Sequence, residues 1–473
     1  MTEKHRIAAD GYREDGVSTY PADAHDIQTY SEASQALSEF HIPILLRDIG
    51  PNDRLFVACF DGTGNDKNSN PEHATNIAHI SDAIESLPVE SKHRIKAAYV
   101  EGPGTQRGFI ASAWDGARGH TYEERMERMY VLLADQVKRW KDEDPDAEIR
   151  LASIGFSRGT EQAAGFTRLL HERGIQDSEG VQKVRNARDQ VVGTTYNLPP
   201  LVPPGQTPQV VALIDPVGTG EPVKKHDRRL PPSVISGIQL IAEDERRSLF
   251  KATHIIDPGP SDDGRFLGMV VAGAHSDLGG GYHRNGLSLR SGNLVMDYLN
   301  RLSDTPFLQR RAEPDDPRLN VVHRSEEGML VYRATSKVDR LQAEGHLKHL
   351  VPEARLQRTT DGYNAEVVDE RIKGGFEFHG TRPETPPSHE ARLDPLSWSD
   401  RAPVFRNPFA MDALNAVLKG DDDAFMRAAH RFSDSAEGQR LDALANELMQ
   451  QERTRQRAQE ADAQPMPARG RSL

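Results

Sequence analysis

Cysteine is almost missing from this chain: Cys59 is the only one in 473 residues, so no disulfide can close within it. Long hydrophobic runs are missing too. No stretch approaches the roughly 18–20 consecutive apolar residues that cross a bilayer as a helix. The opening residues Met1-Thr2-Glu3-Lys4-His5 lack the apolar core of a secretory signal. Positive charge is in deficit, with 59 Lys and Arg against 72 Asp and Glu and a formal net charge of −13. That balance argues against a nucleic-acid partner and against adsorption to an anionic membrane through charge alone. Aromatic residues are only 6% and hydrophobic residues 36%, so polar loops or tails are expected around a real core. These absences together predict synthesis in the cytoplasm, folding without an oxidising compartment, and export, if any, by a route other than the general secretory signal.

What is present is an alternation of apolar strands and amphipathic helices. Arg54 to Phe60 is a near-continuous apolar run of the kind buried on both faces of a parallel sheet. A helix candidate follows from Thr75 to Ile84, then a strand from Ile95 to Val100. Met126, Met129, Leu132, Leu133 and Val137 recur at helical spacing between about Thr121 and Trp140. A strand from Glu148 to Ile154, a helix from Thr160 to Leu170, and strands at Gln209–Ile214 and Leu267–Gly273 complete the pattern. The expected fold is α/β, a mostly parallel sheet flanked by helices with right-handed crossovers, loop-rich insertions and a helical C-terminal tail.

The expected domain division is a polar surface extension over residues 1–50 and a catalytic domain over 51–300 with a polar insertion at about 172–208. A loop-rich accessory region over 301–408 and a helical, partly disordered tail over 409–473 follow. Two apolar stripes, Phe109, Ile110 and Trp114, and Val234, Ile235, Ile238 and Ile241, are expected to be core packing first, with a lid or interfacial segment the alternative for each.

The chemistry centres on Gly155-Phe156-Ser157-Arg158-Gly159. A nucleophilic serine needs a sharp strand-to-helix turn that lifts its hydroxyl above the sheet, and glycines two residues to either side relieve the crowding. The following helix points its positive end at the oxyanion that develops during attack. A serine also needs a base, and the base an acid that orients it. Asp215 and His275 each follow an apolar strand, in the order serine, acid, histidine used by α/β-hydrolases. Asp277 is an alternative acid or a local brace, and His379 an alternative base. The oxyanion donors are expected to be the backbone N–H of Arg158 and that of Gly62 or Thr63, in the loop Asp61-Gly62-Thr63-Gly64-Asn65, with Asp61 in support.

That loop has two competing readings. Asp-Gly-Thr after a strand also marks phosphatases of the haloacid-dehalogenase type, but their nucleophilic aspartate would stand where this chain has Cys59. A calcium loop beginning at Asp61 would place Glu72 at the twelfth position, but Thr63 and Asp66 stand where an acidic ligand and a glycine are needed. No metal and no cofactor are expected.

Five separated segments occur in this order along the chain: Phe60 to Asn65, Gly155 to Gly159, Asp215 to Gly218, Glu243-Asp244-Glu245-Arg246-Arg247, and His275 to Tyr282. Together they resemble the bacterial type VI secretion phospholipase effectors with a Gly-Phe-Ser-Arg-Gly elbow. The resemblance spans roughly residues 52–300. It implies an α/β-hydrolase fold, cleavage of glycerophospholipid acyl esters, and Ser157, Asp215 and His275 as nucleophile, acid and base. It also implies an antibacterial toxin carried by a spike or adaptor protein of the secretion apparatus to the target-cell periplasm, and neutralised in the producer by an immunity protein. The other readings are an esterase on soluble or polymeric esters, and an interaction or delivery protein with a secondary hydrolase domain.

Overall fold

The structure, a computed structural model, describes residues 7–68, 71–102, 120–185, 191–218, 227–247, 250, 252–328, 332 and 365–379. All of these lie in the first of two compact units, Met1–Leu393; the second, Asp394–Leu473, which holds the whole of the expected helical tail, lies outside the described residues. So does the Phe109–Trp114 stripe.

The apolar runs become one seven-stranded sheet. In chain order its strands are β3 (Asp53–Phe60), β4 (Ile95–Val100), β5 (Glu148–Phe156), β8 (Gln209–Ile214), β9 (Val234–Ala242), β10 (Gly259–Pro260) and β11 (Phe266–Val271). Six further strands among the described residues complete the numbering: β1 (Thr19–Pro21), β2 (Ile42–Pro43), β6 (Val181–Arg185), β7 (Val191–Tyr196), β12 (Val321–His323) and β13 (Phe378–His379). The order across the sheet is β10-β11-β9-β8-β5-β3-β4, and every pairing is parallel except β10 with β11. This is the mostly parallel α/β-hydrolase-type sheet that the sequence implies.

Successive residues of each strand serve two cores. Leu55, Val57 and Cys59 of β3 pack with α1 (Ala24–Glu39), α2 (Asn76–Glu85) and α6 (Gly286–Asn300). Phe56, Ala58 and Phe60 pack on the opposite face with α3 (His120–Glu143) and α4 (Arg158–Arg173). Burial on both faces explains why these strands read as continuous apolar runs rather than as alternating ones.

Core packing is the reading that holds for Val234, Ile235, Ile238 and Ile241: they belong to β9, every residue of which is buried between β8 and β11, so they are sheet core and not a lid. Their spacing fits a helix as well as a buried strand, and a short apolar run does not distinguish the two. The stretch before residue 50 is not merely a surface extension. Helix α1 starts with a capping box between Asp23 and Asp26. It buries Tyr30, Ala33 and Leu37, and the Tyr30 hydroxyl donates to the Ala272 carbonyl at 2.7 Å. Leu45 and Leu46 join the same core, β1 pairs with β12, and β2 pairs with β13. Segments from both ends of the Met1–Leu393 unit therefore complete the layer that backs β11. The expected polar insertion carries the antiparallel hairpin β6–β7.

Candidate active site

Strand β4 lies on one side of β3 and β5 on the other, so the strand order reverses at the β3–β5 pair. In open α/β sheets the crevice beyond the carboxyl ends of such a pair is the usual ligand site. Phe60-Asp61-Gly62 leaves one of these ends and Phe156-Ser157 the other.

Ser157 sits between β5 and α4 at φ 58° and ψ −125°, a conformation that L-residues avoid. Both flanking glycines are required by close approach. A Cβ on Gly155 would lie 2.5 Å from the Gly159 carbonyl oxygen, and one on Gly159 would run into the carbonyls of Phe60 and Asp61. The turn is held by the Ser157 N–H donating to Ile214 O at 3.0 Å and by the Thr160 hydroxyl donating to the Ser157 carbonyl. Asp215, at φ 41°, is the only other non-glycine residue with positive φ among the described residues. Such strain costs of order 1–3 kcal/mol per residue and concentrates at functional sites.

Asp215 is fully buried at the end of β8. One carboxylate oxygen accepts the Ala242 N–H at 2.9 Å, and the other is 2.6 Å from His275 Nδ1. His275 opens the short helix α5 (His275–Gly279) just beyond β11. Its ring lies 4.6 Å from that of Phe156, the neighbour of Ser157, and 5.0 Å from that of Phe250. Burial lowers the His275 pKa and outweighs the opposing pull of Asp215, so the imidazole is neutral near pH 7. With Nδ1–H donated to Asp215, Nε2 is left as the proton acceptor, as a general base requires.

The Glu243–Arg247 segment fixes this histidine. The Asp244 carboxylate accepts the Gly273 N–H at 2.8 Å, and Glu245 accepts the His275 N–H at 3.3 Å. Glu245 also holds Arg247 by hydrogen bonds from Nε at 2.9 Å and from Nη2 at 2.7 Å. The Arg247 guanidinium in turn lies over the rings of Phe250, at 3.4 Å, and Tyr332, at 4.9 Å. The glycines after His275 let α5 close on the elbow: a Cβ on Gly279 would occupy the space of the Phe156 ring.

The other sequence candidates divide. Asp61 is buried, and burial pushes its pKa up to about 6. It accepts the Tyr99 hydroxyl at 2.6 Å, the Thr75 hydroxyl at 2.9 Å and the Gly62 N–H at 2.7 Å. Asp61 thus braces its own loop, and the Gly62 N–H is already engaged, so Thr63 is the better placed of the two expected loop donors. The Thr63 hydroxyl accepts from Arg158 Nε, joining this loop to the elbow. Asp277 does not meet His275. Its carboxylate caps Ala274 at 2.9 Å and lies 2.5 Å from His323 Nδ1, whose Nε2 is 3.0 Å from Asp15. His379 lies in β13, paired with Ile42. Phe250 and Tyr332 lie outside the sequence motifs, and nothing in their local sequence marks them as neighbours of the site.

Comparison with known proteins adds an independent finding. Residues 54–196 match the family model described as "T6SS, Phospholipase effector Tle1-like, catalytic domain", a span that includes Ser157 but ends before Asp215 and His275. No curated protein matches the chain in sequence. Among solved structures, an uncharacterized protein from Pseudomonas aeruginosa shares 15% identity at a TM-score of 0.34, covering 69% of this chain and 55% of that one. The Tle1 effector bound to the VgrG spike of the type 6 secretion system shares 17% identity at a TM-score of 0.32, covering 51% of this chain and 52% of that one. The chain thus spans about half the length of each of these proteins. Over residues 54–196, therefore, this chain resembles the Tle1-like catalytic domain of type VI secretion phospholipase effectors, as its separated motifs imply.

Proposed function

We propose that the protein hydrolyses acyl esters of glycerophospholipids by two-step acyl transfer, with Ser157 as nucleophile, His275 as base and Asp215 as the orienting acid. The observation that carries this reading is the buried 2.6 Å contact between His275 and Asp215, set beside an elbow whose serine is held at φ 58°. His275 Nε2 takes the Ser157 proton as the oxygen attacks the ester carbonyl. The backbone N–H groups of Arg158 and Thr63 are the proposed oxyanion donors, with Gly62 shaping the loop. His275 returns the proton to the departing lysophospholipid alcohol. Water, deprotonated by the same nitrogen, then releases the fatty acid and restores the serine.

The family resemblance supports a wider role as an antibacterial toxin. In that role a secretion spike or adaptor carries the protein to the periplasm of a target cell, and an immunity protein protects the producer. The direct test is fatty-acid release from phospholipid vesicles by the full chain and by Ser157→Ala. Release that survives the substitution would sink the mechanism. Turnover of soluble esters with none of phospholipid would move the substrate to the esterase alternative.

A further inference from the structure

Among the described residues the cation beside the nucleophile has no acidic partner. Arg158 follows Ser157 directly, is partly buried, and spends its Nε on the Thr63 hydroxyl. The described acids just beyond the carboxyl ends of β3, β4, β8 and β9 are engaged elsewhere: Asp61 by Tyr99 and Thr75, Glu101 by Arg128 at 2.7 Å, Asp215 by His275, and Glu245 by Arg247. Among the described residues no carboxylate pairs with Arg158, and Arg125 adds a second positive charge to its surroundings. Burial pulls the Arg158 pKa down to about 10, a cost on its charged form that no described carboxylate offsets. An arginine anchored through Nε presents its two terminal nitrogens as a planar fork, the geometry that takes two oxygens of a phosphate. The N-terminus of α4, from which Arg158 springs, favours negative charge at the same place.

We propose that the Arg158 guanidinium, anchored by Thr63 beside Ser157, is a subsite for the phosphodiester of the substrate. This rests on the ester-hydrolase reading above and adds that the enzyme selects esters carrying a nearby phosphate. Arg158 makes two contributions: its backbone N–H serves the oxyanion, and its side chain reads the headgroup. Changing the side chain removes the second directly, while any shift of the Thr63 loop that follows acts on phospholipid and neutral ester alike.

The test compares wild-type protein, Arg158→Gln and Arg158→Lys on phosphatidylcholine vesicles and on an uncharged short-chain p-nitrophenyl ester. A side chain that binds phosphate predicts that the ratio of phospholipid to neutral-ester kcat/KM falls by roughly 10- to 100-fold in Arg158→Gln, with partial recovery in Arg158→Lys. The ratio cancels any general loss of activity, and an unchanged ratio overturns the proposal. A second arm measures inhibition of neutral-ester turnover by glycerophosphocholine and by inorganic phosphate. Inhibition by the diester in wild type and its loss in Arg158→Gln support the subsite. Inhibition by inorganic phosphate alone assigns the site to free phosphate and overturns the substrate reading. The two readings fail separately: a protein that cleaves the neutral ester but no phospholipid defeats the lipid assignment, while the inhibition arm still decides whether Arg158 binds the anion.

Discussion

Replacing Asp215 by asparagine changes the charge at the acid position but leaves its shape. One oxygen of Asp215 accepts the Ala242 N–H at 2.9 Å, and the other faces His275 Nδ1 at 2.6 Å. An asparagine that keeps its carbonyl toward Ala242 presents its NH2 to the histidine. Nδ1 must then accept, the ring proton moves to Nε2, and the nitrogen meant to receive the serine proton is blocked. The flipped amide restores the histidine contact but sets an NH2 against the Ala242 N–H. Either arrangement loses a buried, charge-assisted bond, and with it the carboxylate that would stabilise the imidazolium formed as Ser157 gives up its proton. Loss of that charge together with the wrong histidine tautomer costs a Ser-His-Asp triad up to about four orders of magnitude in kcat, so a loss of roughly two to four orders of magnitude in kcat/KM is expected. The assay is fatty-acid release from phospholipid vesicles, with thermal unfolding measured alongside to confirm that the variant folds. A folded Asp215→Asn protein within tenfold of wild type would refute the triad, whatever Ser157→Ala shows.

Other outcomes follow from the buried histidines. Burial holds the His275 pKa below its ordinary 6.5, so the unprotonated base persists into mildly acid solution. The acid limb of kcat/KM on a soluble ester should therefore have its midpoint below pH 6.5, and a limb above that value contradicts the assignment. His323 behaves oppositely: burial would lower its pKa, but the Asp277 and Asp15 carboxylates outweigh it and raise the value to about 9. Its contribution to stability is complete below pH 6.5 and is lost as pH rises through about 9, a span worth on the order of 3 kcal/mol. Urea unfolding between about pH 6 and pH 9 should show this decline in wild type and a flatter profile in His323→Gln; equal slopes would remove the ion cluster as the cause.

The strands β3, β5, β8 and β11 were legible because burial on both faces leaves uninterrupted apolar runs, and the elbow because its glycines stand at fixed spacing around a serine. The same uniform burial hid β9, whose isoleucines also fit a helix. Helix α1 was hidden for the converse reason: three buried residues, Tyr30, Ala33 and Leu37, are a faint stripe among polar neighbours. The roles of the acids were the least legible. Asp61, Asp215, Asp244 and Asp277 all follow strands or occupy turns in the sequence. What separates them is the donors they meet: Tyr99 and Thr75, His275 and Ala242, Gly273 and Tyr20, or His323 and Ala274.

By itself, then, the sequence determined a parallel α/β sheet, a serine at a strand-to-helix elbow, and an acid and a histidine in the order that such sheets use. Local backbone preference and hydrophobic period depend on near neighbours and can be read along the chain. Only the tertiary structure decided which carboxylate meets His275, that Asp61 is taken by Tyr99, and that among the described residues no carboxylate pairs with the Arg158 that stands beside the nucleophile. Those facts depend on residues tens to hundreds of positions apart arriving within a few ångströms, because charge pairing is decided by distance through space.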